Sequence, residues 1–238
     1  MWPFHKKTTI LHSHLLAGAT DHHSHILPGV DDGVQSMQEA LHTLERYEAT
    51  GIKELWLTPH VMEDFPNKAA KLQERFAQLR ATYNGCITLH LAAEYMIDNH
   101  FDTLLQSGTL LPIGNGGNHL LVETSYFTPP MRFKATLQRI KSKGYHPLLA
   151  HPERYMYMTN TDYRELRETG VKFQLNMLSL AGVYGSAAQK KGHWLLKNRL
   201  YDAAGSDMHH TDALDIINAT PLDKKGRGIL HELLHTTL

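Results

Sequence analysis

Asp21-His22-His23-Ser24-His25-Ile26-Leu27-Pro28-Gly29-Val30-Asp31-Asp32-Gly33 carries three histidines and three aspartates, with a Pro-Gly turn between the His23/His25 pair and the Asp31/Asp32 pair. In an extended strand, side chains at i and i+2 share a face. His23 and His25 therefore stand together, while His22 and Ser24 point away. The turn returns Asp31 and Asp32 within a few residues. Neutral nitrogen donors followed by hard oxygen donors suit a divalent metal ion. The stretch reads as a strand-and-loop metal nest, and the other strands should complete it.

At 238 residues the chain fits one α/β domain. Lys plus Arg equal Asp plus Glu at 24 each, so no net field favours nucleic acid or an anionic membrane. No apolar run nears the roughly 20 residues of a membrane span, so stable insertion is not expected. The single cysteine, Cys86, excludes an intramolecular disulfide and a thiolate zinc cluster, and suits a reducing cytoplasm. Residues 1–7 are too short and polar for a signal peptide. Trp2 and Phe4 could touch a membrane surface, but a frayed tail is the expectation. Histidine is in excess, with 18 copies, which raises the case for metal chemistry.

Short apolar runs alternate with amphipathic segments throughout. Strands are predicted over residues 19–23, 54–58, 87–94, 119–123, 147–150, 172–176 and 203–207. Helices are predicted over 37–50, 68–83, 101–107, 131–143, 162–168, 187–198 and 226–234. Gly51, Gly144 and Gly170 each stand where a helix should stop. Seven strands with helices between them predict a parallel α/β barrel in one domain, residues 19–238, after an N-terminal extension at 1–18.

Barrel enzymes place their chemistry at the carboxyl ends of the strands. Here those ends carry His23 and His25, His60, Glu94, Glu123, His151, Asn176, and Asp207 with His209. A lone histidine after a strand is usually a solvated loop residue. Six of seven strand ends bearing His, Asp or Glu is harder to attribute to chance. With Asp32 the ligand candidates are His23, His25, Asp32, His60, Glu94, Glu123, His151, Asp207 and His209. Nine ligands exceed one ion and suffice for two or three, with a carboxylate such as Glu94 bridging. Imidazole and carboxylate without thiolate point to manganese, iron, zinc or magnesium.

These blocks, with Thr58-Pro59-His60, Ala92-Ala93-Glu94 and the run from Leu149 through His151-Pro152-Glu153-Arg154 to Tyr155, resemble the polymerase-and-histidinol-phosphatase (PHP) superfamily. More narrowly, they are similar to the bacterial tyrosine-protein phosphatases encoded with capsule and exopolysaccharide genes. The resemblance spans roughly residues 19–215. It implies a distorted (β/α)7 TIM-like barrel and a trinuclear centre, most often manganese. It also implies hydrolysis of phosphotyrosine on a cytoplasmic tyrosine autokinase that controls polysaccharide export.

For the mechanism, a metal-activated hydroxide is expected to attack phosphorus in line while Arg154 holds the non-bridging oxygens. The structural alternative for Arg154 is a salt bridge to Glu153 or another carboxylate. Family members often carry a further arginine beyond the last Asp-x-His motif. Here His210-Thr211-Asp212 follows His209 with no arginine, so His210 is read either as a substitute or, in preference, as a solvated loop histidine. Asp31 stays undecided between ligand and support. Tyr155, Met156, Tyr157 and Met158 are read as either an aromatic lip or rim packing.

Cys86 is no phosphatase nucleophile, because a C-x5-R loop would need arginine at Ala92. Residues 114–118 lack the Lys-Ser/Thr of a P-loop. His12 and His14 repeat the two-histidine spacing without trailing carboxylates. The competing functions are a PHP phosphatase of a small phosphomonoester such as histidinol phosphate, an amidohydrolase-like hydrolase, and a catalytically weak binding protein.

Overall fold

The computed structural model describes residues 7–238; the expectation for Trp2 and Phe4 lies outside them. β1 (Thr8–Thr9) pairs antiparallel with β11 (Pro221–Leu222), beside the barrel. The barrel itself has seven staves, two of them broken. They are β2 (Thr20–Ser24), β3 (Glu54–Leu57) continued by β4 (His60–Val61), and β5 (Thr88–Leu91) continued by β6 (Glu94–Met96). β7 (His119–Glu123), β8 (His146–Ala150), β9 (Lys172–Asn176) and β10 (Ala203–Gly205) complete it. One parallel sheet runs β10-β9-β8-β7-β6-β4 and the other β2-β3-β5. They join where Asp207 N–H donates to His23 O at 2.8 Å and His25 N–H donates to Met208 O at 2.9 Å. The predicted distorted (β/α)7 barrel is the observed one.

The third predicted strand, 87–94, needs correction. β5 pairs with β3, whereas β6 pairs with β4 and β7. Ala92 N–H reaches Leu57 O at 2.9 Å, but Ala93 N–H turns to Leu111 O at 3.2 Å. The second stave breaks at the matching level. Pro59 has no N–H to give a ladder, and its carbonyl takes Glu94 N–H at 3.1 Å. Past both breaks the chain resumes as the paired strands β4 and β6, which set His60 and Glu94 side by side at the rim.

The predicted helices form between the staves, and Gly51, Gly144 and Gly170 all have left-handed φ at their ends. Two short helices, Met177–Ala181 and Ala213–Ala219, were not anticipated. The first is too buried and too short to show an amphipathic period. The main core lies between staves and helices and includes Leu44, Tyr47, Leu55, Phe101 and Phe173. It also takes in Ile10, Leu15 and Leu16 from before the first stave. A smaller cluster of Trp56, Ala92, Ile113, Leu121, Leu148 and Ala150 packs separately. Leu121 lies two residues before Glu123 on the same strand face, and Ala150 immediately precedes His151, so an apolar layer underlies the polar rim.

The seam between β10 and β2 tolerates no side chain at Gly205. An added Cβ would lie 2.4 Å from His23 Cβ and 2.6 Å from Gln174 Nε2. Gly205→Ala is expected to cost about 3 kcal/mol by overpacking. That corresponds to a melting temperature lower by roughly 6–12 °C for a domain of this size, read by calorimetry.

Candidate metal centre

All nine sequence-predicted ligand candidates converge at the carboxyl end of the barrel. Donor atoms lie within 4.8 Å of one another in three overlapping groups. These are His23, His25, Glu94 and Asp207; His60, Glu94 and Glu123; and His25, Asp32, His60 and His209. His151 joins through Nε2, at 3.0 Å from Glu94 Oε1 and 3.8 Å from Glu123 Oε2. Glu94 is shared by two groups. Its Oε2 lies 3.1 Å from His23 Nε2, 3.1 Å from His60 Nδ1 and 3.4 Å from His25 Nε2.

These residues fit divalent ions by a direct criterion. Glu94 Oε2, Glu123 Oε1, Asp207 Oδ1 and His60 Nδ1 are buried without hydrogen-bond partners. A buried carboxylate oxygen left so costs several kcal/mol unless a cation meets it. Asp32 is the outermost member, its side chain 57% exposed and 3.6 Å and 3.5 Å from the Nε2 atoms of His60 and His209.

The supporting residues fix which atoms face inward. His23 Nδ1–H donates to Gln174 Oε1 at 3.0 Å, and His25 Nδ1–H donates to Asp31 Oδ2 at 2.8 Å. Both rings thereby turn Nε2 to the cluster, the usual arrangement for metal-ligating histidines. Asp31 also accepts the main-chain N–H groups of Gly33 and His60, so it is a support and not a ligand candidate. Asp207 Oδ2 accepts from Arg154 Nη1 at 2.8 Å and Asn176 Nδ2 at 2.7 Å, which leaves Oδ1 free. His151 and Asp207 have φ of 34° and 53°. Such left-handed backbone at non-glycine residues costs about 1 kcal/mol or more and collects at functional sites.

Arg154 forms the predicted alternative contact, but with Asp207 and not with Glu153. Its guanidinium lies between two rings, 4.4 Å from the Tyr126 centroid and 4.0 Å from that of Tyr184. Beside it opens a cleft of about 530 Å³, lined among others by Asp32, His60, His151, His209 and His210. Of the two readings of residues 155–158, packing holds at Tyr155, which is fully buried and donates its hydroxyl to Ala150 O. Tyr126 and Tyr184 supply the aromatic wall instead. His22 stays outside the cluster with Nδ1 facing Ala204 O at 3.2 Å, and His12 bonds locally to Thr9.

The charges hold each other in place. Burial alone would lower the pKa of His23, but Glu94 and Asp207 raise it to about 9. His25 is raised well above the ordinary value, Asp31 overcoming the same burial. Glu94 and Asp207 resist burial and stay well below the carboxylate range, His23 being the main cause for both. His209 goes the other way, lowered to about 4 by burial and then by His25. A metal ion needs the unprotonated ring, so below about pH 9 it must displace the His23 proton. Affinity should therefore rise with pH up to about 9, close to tenfold per unit for each proton released. Titrating manganese into metal-stripped protein at several pH values, with proton release recorded, checks this.

Gln174, Tyr126 and Tyr184 were not found from the sequence. Gln174 had a signal: it shares a strand face with Asn176 in a stave that alternates polar and apolar residues. The two tyrosines lie on loops and had none.

Residues 19–215 match the family model described as "Capsular polysaccharide synthesis, CpsB/CapC". The chain is 28% identical over 201 residues to the tyrosine-protein phosphatase YwqE of Bacillus subtilis, covering 80% of this chain and 77% of that one. It is 27% identical over 205 residues to the tyrosine-protein phosphatase CpsB of Streptococcus pneumoniae, covering 81% and 84%. The fold is similar to a crystal structure from work on those two proteins, described as metal-dependent tyrosine phosphatases. That match has a TM-score of 0.74 at 22% identity, over 92% of this chain and 97% of the other.

Proposed function

Because the chain belongs to the capsular polysaccharide synthesis CpsB/CapC family, we propose that it is a metal-dependent protein-tyrosine phosphatase. The observation that carries this reading is the set of buried, unpartnered carboxylate oxygens around the histidines. Two or three divalent ions, manganese ahead of iron, zinc or magnesium, suit that donor set. When bound, they neutralise phosphoryl oxygens and lower the pKa of water towards about 7.

His23, His25 and Asp207 would hold one ion together with Glu94. Glu94, Glu123 and His151 would hold a second. Asp32 and His209 stand ready for a third, with His60 between the last two. Arg154, clamped by two rings and Asp207, keeps further N–H donors for the phosphoryl oxygens. Phenol leaves with a pKa of about 10, so the chain needs no strong general acid. The substrate is phosphotyrosine on a bacterial tyrosine autokinase of exopolysaccharide export, acted on in the cytoplasm. The catalytic unit is the barrel, residues 19–238, with 1–18 as an N-terminal extension.

The test is metal content measured alongside hydrolysis of a phosphotyrosine peptide. Chelation should abolish turnover, manganese should restore it, and histidinol phosphate should be the poorer substrate. Full activity in metal-stripped protein overturns the reading.

A further inference from the structure

A second cleft, of about 470 Å³, opens on the other side of Arg154. It shares Tyr126, Arg154 and Tyr184 with the metal-facing cleft, so the two are continuous across one wall. Phe127 and Met156 line it, 73% and 63% exposed. Six large hydrophobic residues are exposed among the described residues. Four of them, Phe127, Met156, Val183 and Ile216, line these two clefts. Scattered exposed hydrophobics need no explanation, but a concentration around one opening does.

Apart from Arg154, which is shared with the metal-facing cleft and paired with Asp207, the charges in the second cleft are already used. Lys191 Nζ donates to Tyr155 O at 2.6 Å and to Met156 O at 3.4 Å. The Glu153 carboxylate is buried, accepting Tyr201 O–H at 2.8 Å and Asn176 N–H at 3.0 Å. A neutral, apolar occupant is therefore favoured over an ionic one. The helix Gly185–Lys197 begins at this cleft with no side-chain cap. Gly185 N–H already donates to Gly182 O at 3.0 Å, and the following first-turn amides lack intrahelical partners and can meet a peptide carbonyl.

We propose that this cleft receives an apolar side chain of the substrate polypeptide, one or two residues from the phosphotyrosine. The inference rests on the phosphotyrosine reading above. Extended chain advances about 3.3–3.6 Å per residue, so a phosphotyrosine whose phosphate meets Arg154 in the metal-facing cleft brings a neighbouring residue within reach of the cleft that shares the Tyr126, Arg154 and Tyr184 wall.

Manganese-loaded full-length protein is assayed on phosphotyrosine peptides that differ only in having Leu, Gly or Asp beside the phosphotyrosine. p-Nitrophenyl phosphate, which has no neighbour residue, is the control. The Leu peptides should show kcat/KM about tenfold above the Asp peptides. Phe127→Asp and Met156→Asp should erase that preference and leave p-nitrophenyl phosphate hydrolysis unchanged. Equal turnover of all peptides, with p-nitrophenyl phosphate still hydrolysed, overturns the subsite and spares the phosphatase reading. An altered oligomeric state in Phe127→Asp with unchanged peptide preference also overturns it, assigning the face to a second copy of the chain. Failure to hydrolyse either kind of substrate removes the phosphatase reading and the subsite with it.

Discussion

Glu94→Gln is expected to lower hydrolysis of a phosphotyrosine peptide about a thousandfold and to leave the protein at least one metal ion short. Glu94 is fully buried and belongs to two of the three donor groups. The amide keeps the shape but removes the charge that offsets His23, His25 and His60 on one side and His151 on the other. A properly held metal ion supplies several kcal/mol of transition-state charge stabilisation, and each 1.36 kcal/mol is tenfold in rate. Elemental analysis of the purified variant, paired with turnover at saturating manganese, measures both effects. Asp32→Asn gives the scale, because Asp32 is exposed and belongs to one group only; its loss should be clearly smaller. A Glu94→Gln protein with full metal content and activity within tenfold of the parent would refute the shared role.

Arg154→Ala should lose about a hundredfold in kcat while metal content stays near that of the parent. The two readouts separate because Asn176 still donates to Asp207 Oδ2 at 2.7 Å after the arginine is gone. What disappears is the planar donor fork presented to the phosphate, a bidentate charge-assisted contact worth several kcal/mol. Arg154→Lys is expected to recover little. An ammonium cannot fill the space between the Tyr126 and Tyr184 rings, nor bond Asp207 and an oxyanion at once. If the alanine variant loses metal in step with activity, Arg154 supports Asp207 and does not hold substrate.

The donors were legible in the sequence because all but Asp32 lie at or shortly after a strand end, and Asp32 follows in the loop of the first one. Glu123 and His151 could be placed by locating one local apolar run and reading the next residue, and His23 by its alternation with His25. The supports were not legible, because they come from other staves. Gln174 reaches His23, and Asn176 reaches Asp207, only after the barrel has closed. Asp31 and Asp32 show the limit most clearly. Adjacent and chemically identical, they diverge because the turn buries one against His25 and leaves the other exposed. The break at Ala92-Ala93 was also hidden. Alanine carries no turn signal, whereas Pro59 at the partner break at least ends a ladder.

The broken staves divide the barrel into units that need not share one stability. β4 and β6 pair over only two residue pairs, His60 with Glu94 and Val61 with Tyr95. So short a ladder contributes little on its own, and the longer pairing of β3 with β5 below does not depend on it. The rim can therefore fray while the lower barrel stays folded, the kind of local opening that amide hydrogen exchange detects. Ions held between His60 and Glu94 would act as a clasp on that segment. Metal loading would then slow exchange at the rim amides selectively, and metal starvation would expose the rim to proteases well before the protein unfolds.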